Sequence, residues 1–436
     1  MYYPGKKAYI PRPPPLDLQS LHEAKTLFIK TCCGSRTQNL ILDEGLKLFA
    51  DLVEKRMLDY EDATTDVLNT LWVSHPETTY LERQFRTSTQ IVSFIKYSDE
   101  QPTITDIAEK TFIHFGPSTT YDESHKNVMS QLVFAAIAWS TMLYSTKFDS
   151  LDGDSCTTTE VQLTHELANQ SIPHAIDSAE RPIGAMLRTR GLLPTAYQLT
   201  TISSPKLPTL LAVPHLNLYS LSQLGGVTIT WTDELSKHCE FDRYGREKRL
   251  QMFRLPSLCA KLCLNKEEVT IIDQLFKSQI SQQNSKYNLE SSARSYLIEV
   301  LLSYRVLFGQ HALSQRLFRE KEREKAKWNG AVDPLLDALC RQEHVDGIDC
   351  IKELLHERGV YNADINFPYL GPRLLELADY SLSQRPRNLI EVWRDQRDFE
   401  RFFTFRAVII IGSVTIGLSI LQIVVGIAQV AVSVRR

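Results

Sequence analysis

Apolar residues recur with a helical period over the first third of the chain. In the segment LILDEGLKLFADLVEKRMLD they fall three and four positions apart and would share one helix face: Leu42, Leu46, Phe49, Leu52 and Val53. The most apolar stretch of this region, Val133 to Trp139, is too short to cross a bilayer, which takes about 20 apolar residues. We therefore expect a helical domain over residues 16–150, with this stretch in its central core helix.

The pattern changes to a period of two between residues 205 and 255. Three segments alternate apolar and polar residues as half-buried strands do: HLNLYSL, GGVTITWT and RLQMFRLP. In the second, Val227, Ile229 and Trp231 would lie on one face of the strand. Helical spacing returns near residue 290 and predicts one long helix or two, ending in the alternating charges of REKEREKAK. Residues 205–400 are thus predicted to form a mixed, then helical, domain.

Three further segments give weaker signals. Residues 1–15 are rich in proline, which favours an extended leader. Residues 151–204 are polar or interrupted by Pro and Gly, and predict a linker or irregular segment. The segment DSLDGDSCTTTE, residues 149–160 at the start of this linker, lacks the ligand and glycine pattern of an EF-hand. Residues 333–366 loosely resemble one ankyrin unit, but no clear second unit follows, so a helical hairpin is the expectation there.

The end of the chain is unlike everything before it. From Ala407 to Val434 there is no charged residue, and arginines stand at both sides of this run. A buried core helix would have to be enclosed by a soluble domain, whereas a run of this length is sufficient for a transmembrane helix with room for tilt. We expect a membrane anchor over residues 402–434, in contact with the lipid bilayer. No apolar signal segment lies near residue 1, so the arrangement predicts a tail-anchored, single-pass protein with its body in the cytosol.

The polar residues inside the predicted anchor follow a seven-residue period. Small residues recur at one position and polar residues three positions later, which gives one seam: Gly412, Thr415, Ser419, Gln422, Gly426, Gln429 and Ser433. Small residues let two membrane helices approach closely, and glutamine can hydrogen-bond across the pair. The seam predicts a helix partner in the membrane, another copy or another protein. Because Gly, Ser and Thr are common in membrane spans, a chance pattern is the alternative.

The composition narrows the possible functions without naming one. The net charge of −3 argues against a nucleic-acid binder that works through a general positive field. The 8 cysteines are scattered, which is typical of a reduced, cytosolic protein. His238, Cys239, Cys259 and Cys263 could supply zinc ligands, but their spacing matches no zinc finger, and buried free cysteines are the simpler interpretation. No phosphate-binding loop, dinucleotide fingerprint or nucleophile elbow is present, so no catalytic residue, metal ligand or cofactor is predicted.

Three segments together resemble a known group of sequences: FAAIAWSTMLY, the block ITWTDELSKHCEFDRYGREKRLQMFRLPS, and the apolar tail. The chain is similar to a family of uncharacterised proteins of filamentous fungi that have a helical body and a C-terminal membrane helix. Some such proteins lie in subtelomeric gene clusters linked to colony and biofilm morphology, which implies a role in morphology or stress adaptation. The resemblance implies no activity. From the residues themselves, we expect Arg254 to be held by a carboxylate such as that of Asp242.

These patterns predict a mainly α fold: a helical cytosolic body, a small β-containing middle segment and one C-terminal transmembrane helix. The function that fits them is a tail-anchored scaffold or regulator that binds a cytosolic protein of unknown identity. A membrane-tethered enzyme of unrecognised class is the alternative.

Overall fold

The structure is a computed structural model that describes residues 21–34, 39–73, 75, 77–99, 101–115, 123–147, 164–167, 170–172, 179–196, 210–265, 268–277, 293–341, 355–386 and 399–434. The Pro-rich leader and most of the predicted linker lie outside these ranges, as do the DGD segment and the second helix of the predicted hairpin.

Helices make up most of the described chain, as the sequence predicts. In the first third they are α1 (Leu21–Cys33), α2 (Leu40–Leu58), α3 (Glu61–Leu71), α4 (Tyr80–Lys96), α5 (Ile104–Phe115) and α6 (Glu123–Thr141). Val133 to Trp139 lie in α6, and every residue of this stretch is buried. The apolar face predicted for α2 is buried as well. The helical period therefore identified both the helices and the faces that build the core.

Most of the described helices after residue 180 are shorter, whereas the last one has 36 residues. They are α7 (Ile183–Thr189), α8 (Val213–Leu216), α9 (Leu218–Gly225), α10 (Pro256–Leu264), α11 (Ile271–Phe276), α12 (Ala293–Tyr304), α13 (Ala312–Leu317), α14 (Arg323–Ala326), α15 (Pro334–Arg341), α16 (Ala363–Asn366), α17 (Gly371–Ser383) and α18 (Phe399–Val434). The one or two long helices predicted after residue 290 are two. In the first, α12 continues into the π-helical turn Arg305–Gly309, and the chain then becomes extended at His311, with φ −131° and ψ 117°. In the second, α13, the π-helical turn Phe318–Glu322 and α14 follow one another without a break.

The described strands form three small sheets. β1 (Thr146–Lys147), β2 (Thr164–Leu167) and β3 (Gln170–Ile172) pair antiparallel, and β4 (Leu210–Ala212) pairs antiparallel with β8 (Val360–Asn362). In the third sheet, β7 (Arg249–Phe253) lies between β5 (Thr228–Thr232), which is parallel to it, and β6 (Phe241–Asp242), which is antiparallel. The second and third predicted strands are thus confirmed, with Ile229 and Trp231 buried on one face of β5.

The first predicted strand, HLNLYSL, is wrong: these residues belong to α8 and α9. Pro214 stands in the first turn of α8, and the Asn217 side chain caps α9 by accepting a hydrogen bond from the backbone N–H of Ser220 at 2.9 Å. α9 ends at Gly225, and Gly226 after it takes a left-handed conformation with φ +64°. Asn217 is the residue in this segment that indicates a helix start, because asparagine is a common N-cap. The alternation of apolar and polar residues indicated a strand instead.

One cluster of buried apolar side chains runs from Ala24 to Tyr380, so the segments on both sides of residues 151–204 share a core. Within this core α2 lies close against α10. A methyl group built at Gly45 would lie 2.2 Å from Ser257 Oγ, which only a glycine avoids. Ser257 donates in turn to Asp333, whose carboxylate accepts from the backbone N–H groups of Leu335 and Leu336 at the start of α15. Three helices meet at this glycine.

Candidate membrane anchor and helix-contact seam

The C-terminal helix α18 is long and apolar enough to cross a membrane. Its span Phe403–Val430 covers 28 residues with a mean hydropathy of 2.5, and none of its most apolar window is buried. The core helix of a soluble protein would be mostly buried, as α6 is. At 1.5 Å per residue the span measures about 42 Å, against about 30 Å of hydrocarbon, so it can cross with a tilt.

The apolar surface of α18 is exposed in the isolated chain and has to be shielded from water. Sixteen of its large hydrophobic side chains are exposed in the chain on its own, among them Ile411 at 65% and Ile427 at 65%. Fully burying one such side chain is worth about 1.5–3 kcal/mol, so leaving all of them in water would cost tens of kcal/mol. Within the hydrocarbon of a bilayer that cost disappears, and the helix satisfies its own backbone N–H and C=O groups.

The structure places the predicted seam on one uninterrupted helix. α18 is continuous from Phe399 to Val434, and a straight helix drifts only about 20° for each seven residues, so positions spaced by seven stay on one side. A methyl group added at Gly412 or Gly426 would meet nothing within 4 Å. Glycine lowers helix stability by about 1 kcal/mol relative to alanine, and no contact within the described chain requires it at these two positions. The same holds for Gly417, which lies off the seam.

Some polar side chains of the seam have hydrogen-bond partners in the described chain and others have none. The hydroxyl of Thr415 donates to the carbonyl of Ile411 at 2.8 Å, and that of Ser419 donates to the carbonyl of Thr415 at 2.9 Å. Such bonds to the preceding turn let a hydroxyl lie in lipid at little cost. Within the part of the chain that the structure describes, no hydrogen bond is formed by the amide of Gln422 or Gln429. The side chain of Ser433 lies outside that part.

Gln422 and Gln429 differ in their depth within the bilayer. If the centre of Phe403–Val430 lies at the bilayer midplane, Gln422 is about 8 Å from the midplane and Gln429 about 19 Å. The hydrocarbon extends about 15 Å to each side, so Gln429 can reach the headgroups and Gln422 cannot. An amide in hydrocarbon without a partner costs several kcal/mol. Gln422 is therefore the seam residue with the strongest need for another molecule.

In the body, one pair of side chains has the geometry of a nucleophile and its base. His238 Nε2 lies 2.6 Å from Ser303 Oγ, and both residues are fully buried. However, His238 Nδ1 accepts a hydrogen bond from the backbone N–H of Phe253 at 3.1 Å, so the ring proton is on Nε2 and points at Ser303. Ser303 donates onward to the carbonyl of Val300. A base must present a lone pair to the serine, and His238 presents a proton, so this pair holds structure and does not activate a nucleophile.

Two buried acidic residues, Glu299 and Asp333, accept hydrogen bonds from backbone N–H groups at or just before the start of a helix. Glu299 accepts hydrogen bonds from the backbone N–H groups of Tyr369 and Leu370, just before α17. Burial raises its pKa well above the usual range, and burial also raises the pKa of Asp333, the cap of α15, to about 6. Arg254 is paired with Asp233, at 3.1 Å, and not with Asp242 as expected, because Asp242 accepts from the backbone N–H of Gly245 in its own turn.

The proposed zinc ligands do not assemble. Among the described residues, no three His, Cys, Asp or Glu side chains are grouped so that they could hold a metal ion. Both ring nitrogens of His238 have partners, and Cys239, Cys259 and Cys263 are free and buried. Burial raises the pKa of Cys239 and of Cys263 to about 12 each, so their thiols stay protonated.

The chain matches no described protein family, no curated protein and no solved structure. Its function has to be inferred from its own residues and their geometry.

Proposed function

We propose that the protein is a single-pass membrane scaffold, anchored by α18, whose helical body faces the cytosol and binds another protein. The observation that carries the proposal is the span Phe403–Val430, which has a mean hydropathy of 2.5 and is not buried in the body. Anchoring leaves the body close to the membrane surface, where a second protein bound to it would be concentrated.

The cysteines support the cytosolic orientation of the body. Cys32, Cys33, Cys239, Cys259, Cys263 and Cys340 are free thiols, each buried in the apolar core. Free thiols persist where glutathione keeps the compartment reduced, whereas extracytosolic compartments favour disulfides.

The seam supports a helix partner inside the membrane. Gly412 and Gly426 leave room for a second backbone, and Gln422 lies at a depth where an amide needs a hydrogen-bond partner. A second copy of the chain is the simplest partner, because two Gln422 amides can each donate and accept. A seven-residue period favours a left-handed crossing near 20°.

The enzyme alternative finds no support in the described body. Its nearest approach to a catalytic pair, Ser303 and His238, has the proton on the wrong side and no access to solvent. Stoichiometric binding of a nucleotide or a metal ion by the purified protein would be the observation that revives this alternative.

The resemblance to filamentous-fungal proteins extends the proposal to biology: we place the scaffold in colony morphology or stress adaptation. Deletion of the gene should then change colony form or stress tolerance, and a version lacking residues 402–436 should fail to restore it. If the truncated version restored colony form or stress tolerance, the role of the protein would not depend on its membrane anchor.

The proposal is tested by protease treatment of intact organelles, followed by affinity capture. The body should be digested without detergent, because it faces the cytosol. Capture of the intact protein from its own membrane should recover partners that a chain without residues 402–436 recovers less well. A protected fragment of nearly full size would contradict the orientation, and identical recovery by both chains would contradict a role for the membrane.

A further inference from the structure

Among the described residues of the body, the large hydrophobic side chain with the greatest exposure lies in the turn between β6 and β7. Residues 243–249, RYGREKR, are called the basic turn below. Tyr244 is 90% exposed, and Arg246 and Arg249 are exposed beside it. An aromatic side chain so fully presented to solvent has no role in the fold of the described chain.

The basic turn is held in shape from within. The backbone N–H of Gly245 donates to Asp242 Oδ1 at 2.7 Å, and the ammonium group of Lys248 donates to the carbonyls of Arg243 and Gly245 at 2.6 and 3.0 Å. These bonds cap the polar backbone of the turn. Tyr244 is therefore displayed on a formed structure, with its backbone ordered before any partner arrives.

The basic turn lies beside the helix from which the chain leaves the body for the membrane. Arg243 Nη1 lies 2.9 Å from Asp379 Oδ2 of α17, and the rings of Phe241 and Tyr380 are 4.9 Å apart. α17 ends at Ser383 and α18 begins at Phe399. The intervening residues 384–398 can span at most about 50 Å when fully extended, so the turn is within reach of the bilayer that holds α18.

The charge of the basic turn differs from that of the whole chain. It carries Arg243, Arg246, Lys248 and Arg249 against Glu247, with the carboxylates of Asp242 and Asp379 beside it, while the chain as a whole has a net charge of −3. Arg243 and Arg249 have carboxylate neighbours. Arg246 forms no ion pair with any residue that the structure describes. Near the turn, Leu382 is 54% exposed at the end of α17, and Arg385 follows it in the exposed surface.

A tyrosine with arginines around it has the chemistry of a membrane interface. Tyrosine is enriched at the headgroup level because its ring is apolar and its hydroxyl is wet. Arginine and lysine near an anionic leaflet gain about 1 kcal/mol each from its negative potential. Such a contact is weak for a free protein, but a chain already anchored nearby meets the lipid at a high effective concentration.

We propose that the basic turn docks on the anionic phospholipid headgroups of the membrane in which α18 is anchored, with Tyr244 at the interface. The contact fixes the orientation of the body against the bilayer. This inference rests on the anchoring role of α18, and the two can fail separately.

The test uses the full chain reconstituted in vesicles of phosphatidylcholine, with or without phosphatidylserine. Flotation of the vesicles reports anchoring, and amide hydrogen exchange of the peptides that cover residues 240–252 reports docking. We expect the chain to float with both kinds of vesicle. Exchange of the basic turn should be slower only with phosphatidylserine, and high salt should remove the difference because it screens the charges.

Two variants with the same change in charge sharpen the test. Arg246→Glu with Arg249→Glu reverses two charges of the turn and should weaken docking about tenfold or more. Arg319→Glu with Lys321→Glu makes the same change at two exposed positions elsewhere and should leave the exchange of the turn unchanged. Tyr244→Ser should reduce the protection without changing its salt dependence.

The outcomes separate the two claims. Equal exchange of the turn in both kinds of vesicle would overturn docking, as would equal effects of the two charge-reversal variants. Protection without vesicles, dependent on protein concentration, would overturn it in favour of a protein contact. Flotation only with phosphatidylserine, reversed by salt, would support docking and contradict the anchor.

Discussion

The backbone N–H of Phe253 donates a hydrogen bond to Nδ1 of His238 at 3.1 Å, in a site with no solvent access. Phe253 ends β7, and His238 follows the short 3₁₀ helix Leu235–Lys237, so the bond joins the third sheet to the segment before it. The opposite ring nitrogen is bonded to Ser303 of α12. A neutral imidazole thus connects a strand, a turn and a helix.

Acid should destabilise the body through His238. Burial, with a smaller contribution from the Arg373 guanidinium, lowers the pKa of His238 to about 3. In the unfolded chain the imidazole binds a proton near its ordinary pKa of about 6.5. Between pH 3 and pH 6.5, roughly, the imidazole of the unfolded chain binds a proton and that of the folded chain does not. The free energy of unfolding is therefore highest above about pH 6.5 and falls by about 1.4 kcal/mol for each pH unit below it.

The variant His238→Asn isolates this effect. The free-energy difference between the natural chain and the variant, measured by denaturant unfolding in detergent, should shrink as the pH falls from about 6 to about 4. Asp333 and Glu299 have raised pKa values and act in the opposite direction, but they are present in both chains and cancel in the difference. A difference that does not change with pH would show that His238 is not held neutral.

Gly45 should resist substitution although it lies inside a helix. Gly→Ala in an exposed helix stabilises by about 1 kcal/mol. At Gly45 the added methyl group would lie 2.2 Å from Ser257 Oγ and 2.3 Å from Ser257 Cβ, so Gly45→Ala should instead destabilise by about 1–3 kcal/mol. The loss caused by Gly45→Ala should be smaller in a chain that already carries Ser257→Gly, since that change removes both atoms; Ser257→Gly has a cost of its own, because it removes the hydrogen bond to Asp333. Thermal unfolding of four chains, the natural one, the two single variants and the double variant, checks this, and an equal loss from Gly45→Ala with and without Ser257→Gly would refute the steric explanation.

The buried thiols should be inert while the protein is folded. Burial raises the pKa of Cys33, Cys239 and Cys263 to about 12, and the alkylating species is the thiolate. Iodoacetamide at neutral pH should leave the six described cysteines unmodified until denaturant is added, as read by mass spectrometry of peptides. Rapid alkylation of Cys32 or Cys33 in the native chain would mean that α1 opens readily from α4 or that its packing is wrong.

The sequence was most informative where one period ran for many residues. The helical face of α2, the buried run in α6 and the strand with Ile229 and Trp231 are all as predicted. It failed for HLNLYSL, where a local cap at Asn217 overrode a period of two that covered only seven residues. The partner of Arg254 could not be predicted, because Asp233 and Asp242 are equally plausible until the turn at Gly245 occupies Asp242.

The long apolar run that forms α18 is the clearest feature of the sequence, whereas the exposure of Tyr244 cannot be predicted from it. A single tyrosine in a charged segment has the same pattern whether it packs inward or outward. Its exposure depends on the hydrogen bonds of Asp242 and Lys248, which close the turn beneath it. Those bonds join residues three to five positions apart, so the turn itself is local, but the direction in which it presents Tyr244 depends on the contacts of the flanking strands, such as that of Phe241 with Tyr380.

Seam substitutions should weaken association of the tail without preventing insertion. Gly412→Leu with Gly426→Leu fills the space that a second backbone would use. Gln422→Leu removes a hydrogen bond of about 1 kcal/mol, about fivefold in association, while making the span more apolar. Ile416→Ala and Val424→Ala, off the seam, are the matched controls and should do little. Crosslinking of the tail in membranes measures this. Equal losses on and off the seam, or no association of the natural tail, would leave the anchor without a packing surface.

The most direct test of the account is extraction of cell membranes at alkaline pH followed by flotation, with the full chain compared with residues 1–401. The apolar span Phe403–Val430 predicts that the full chain resists extraction and floats with the lipid, while the truncated chain stays in the soluble fraction with its helical signal intact. Release of the full chain by alkali, or aggregation of the truncated chain with loss of helical signal, would show that α18 belongs to the core of the body and would contradict the membrane anchor.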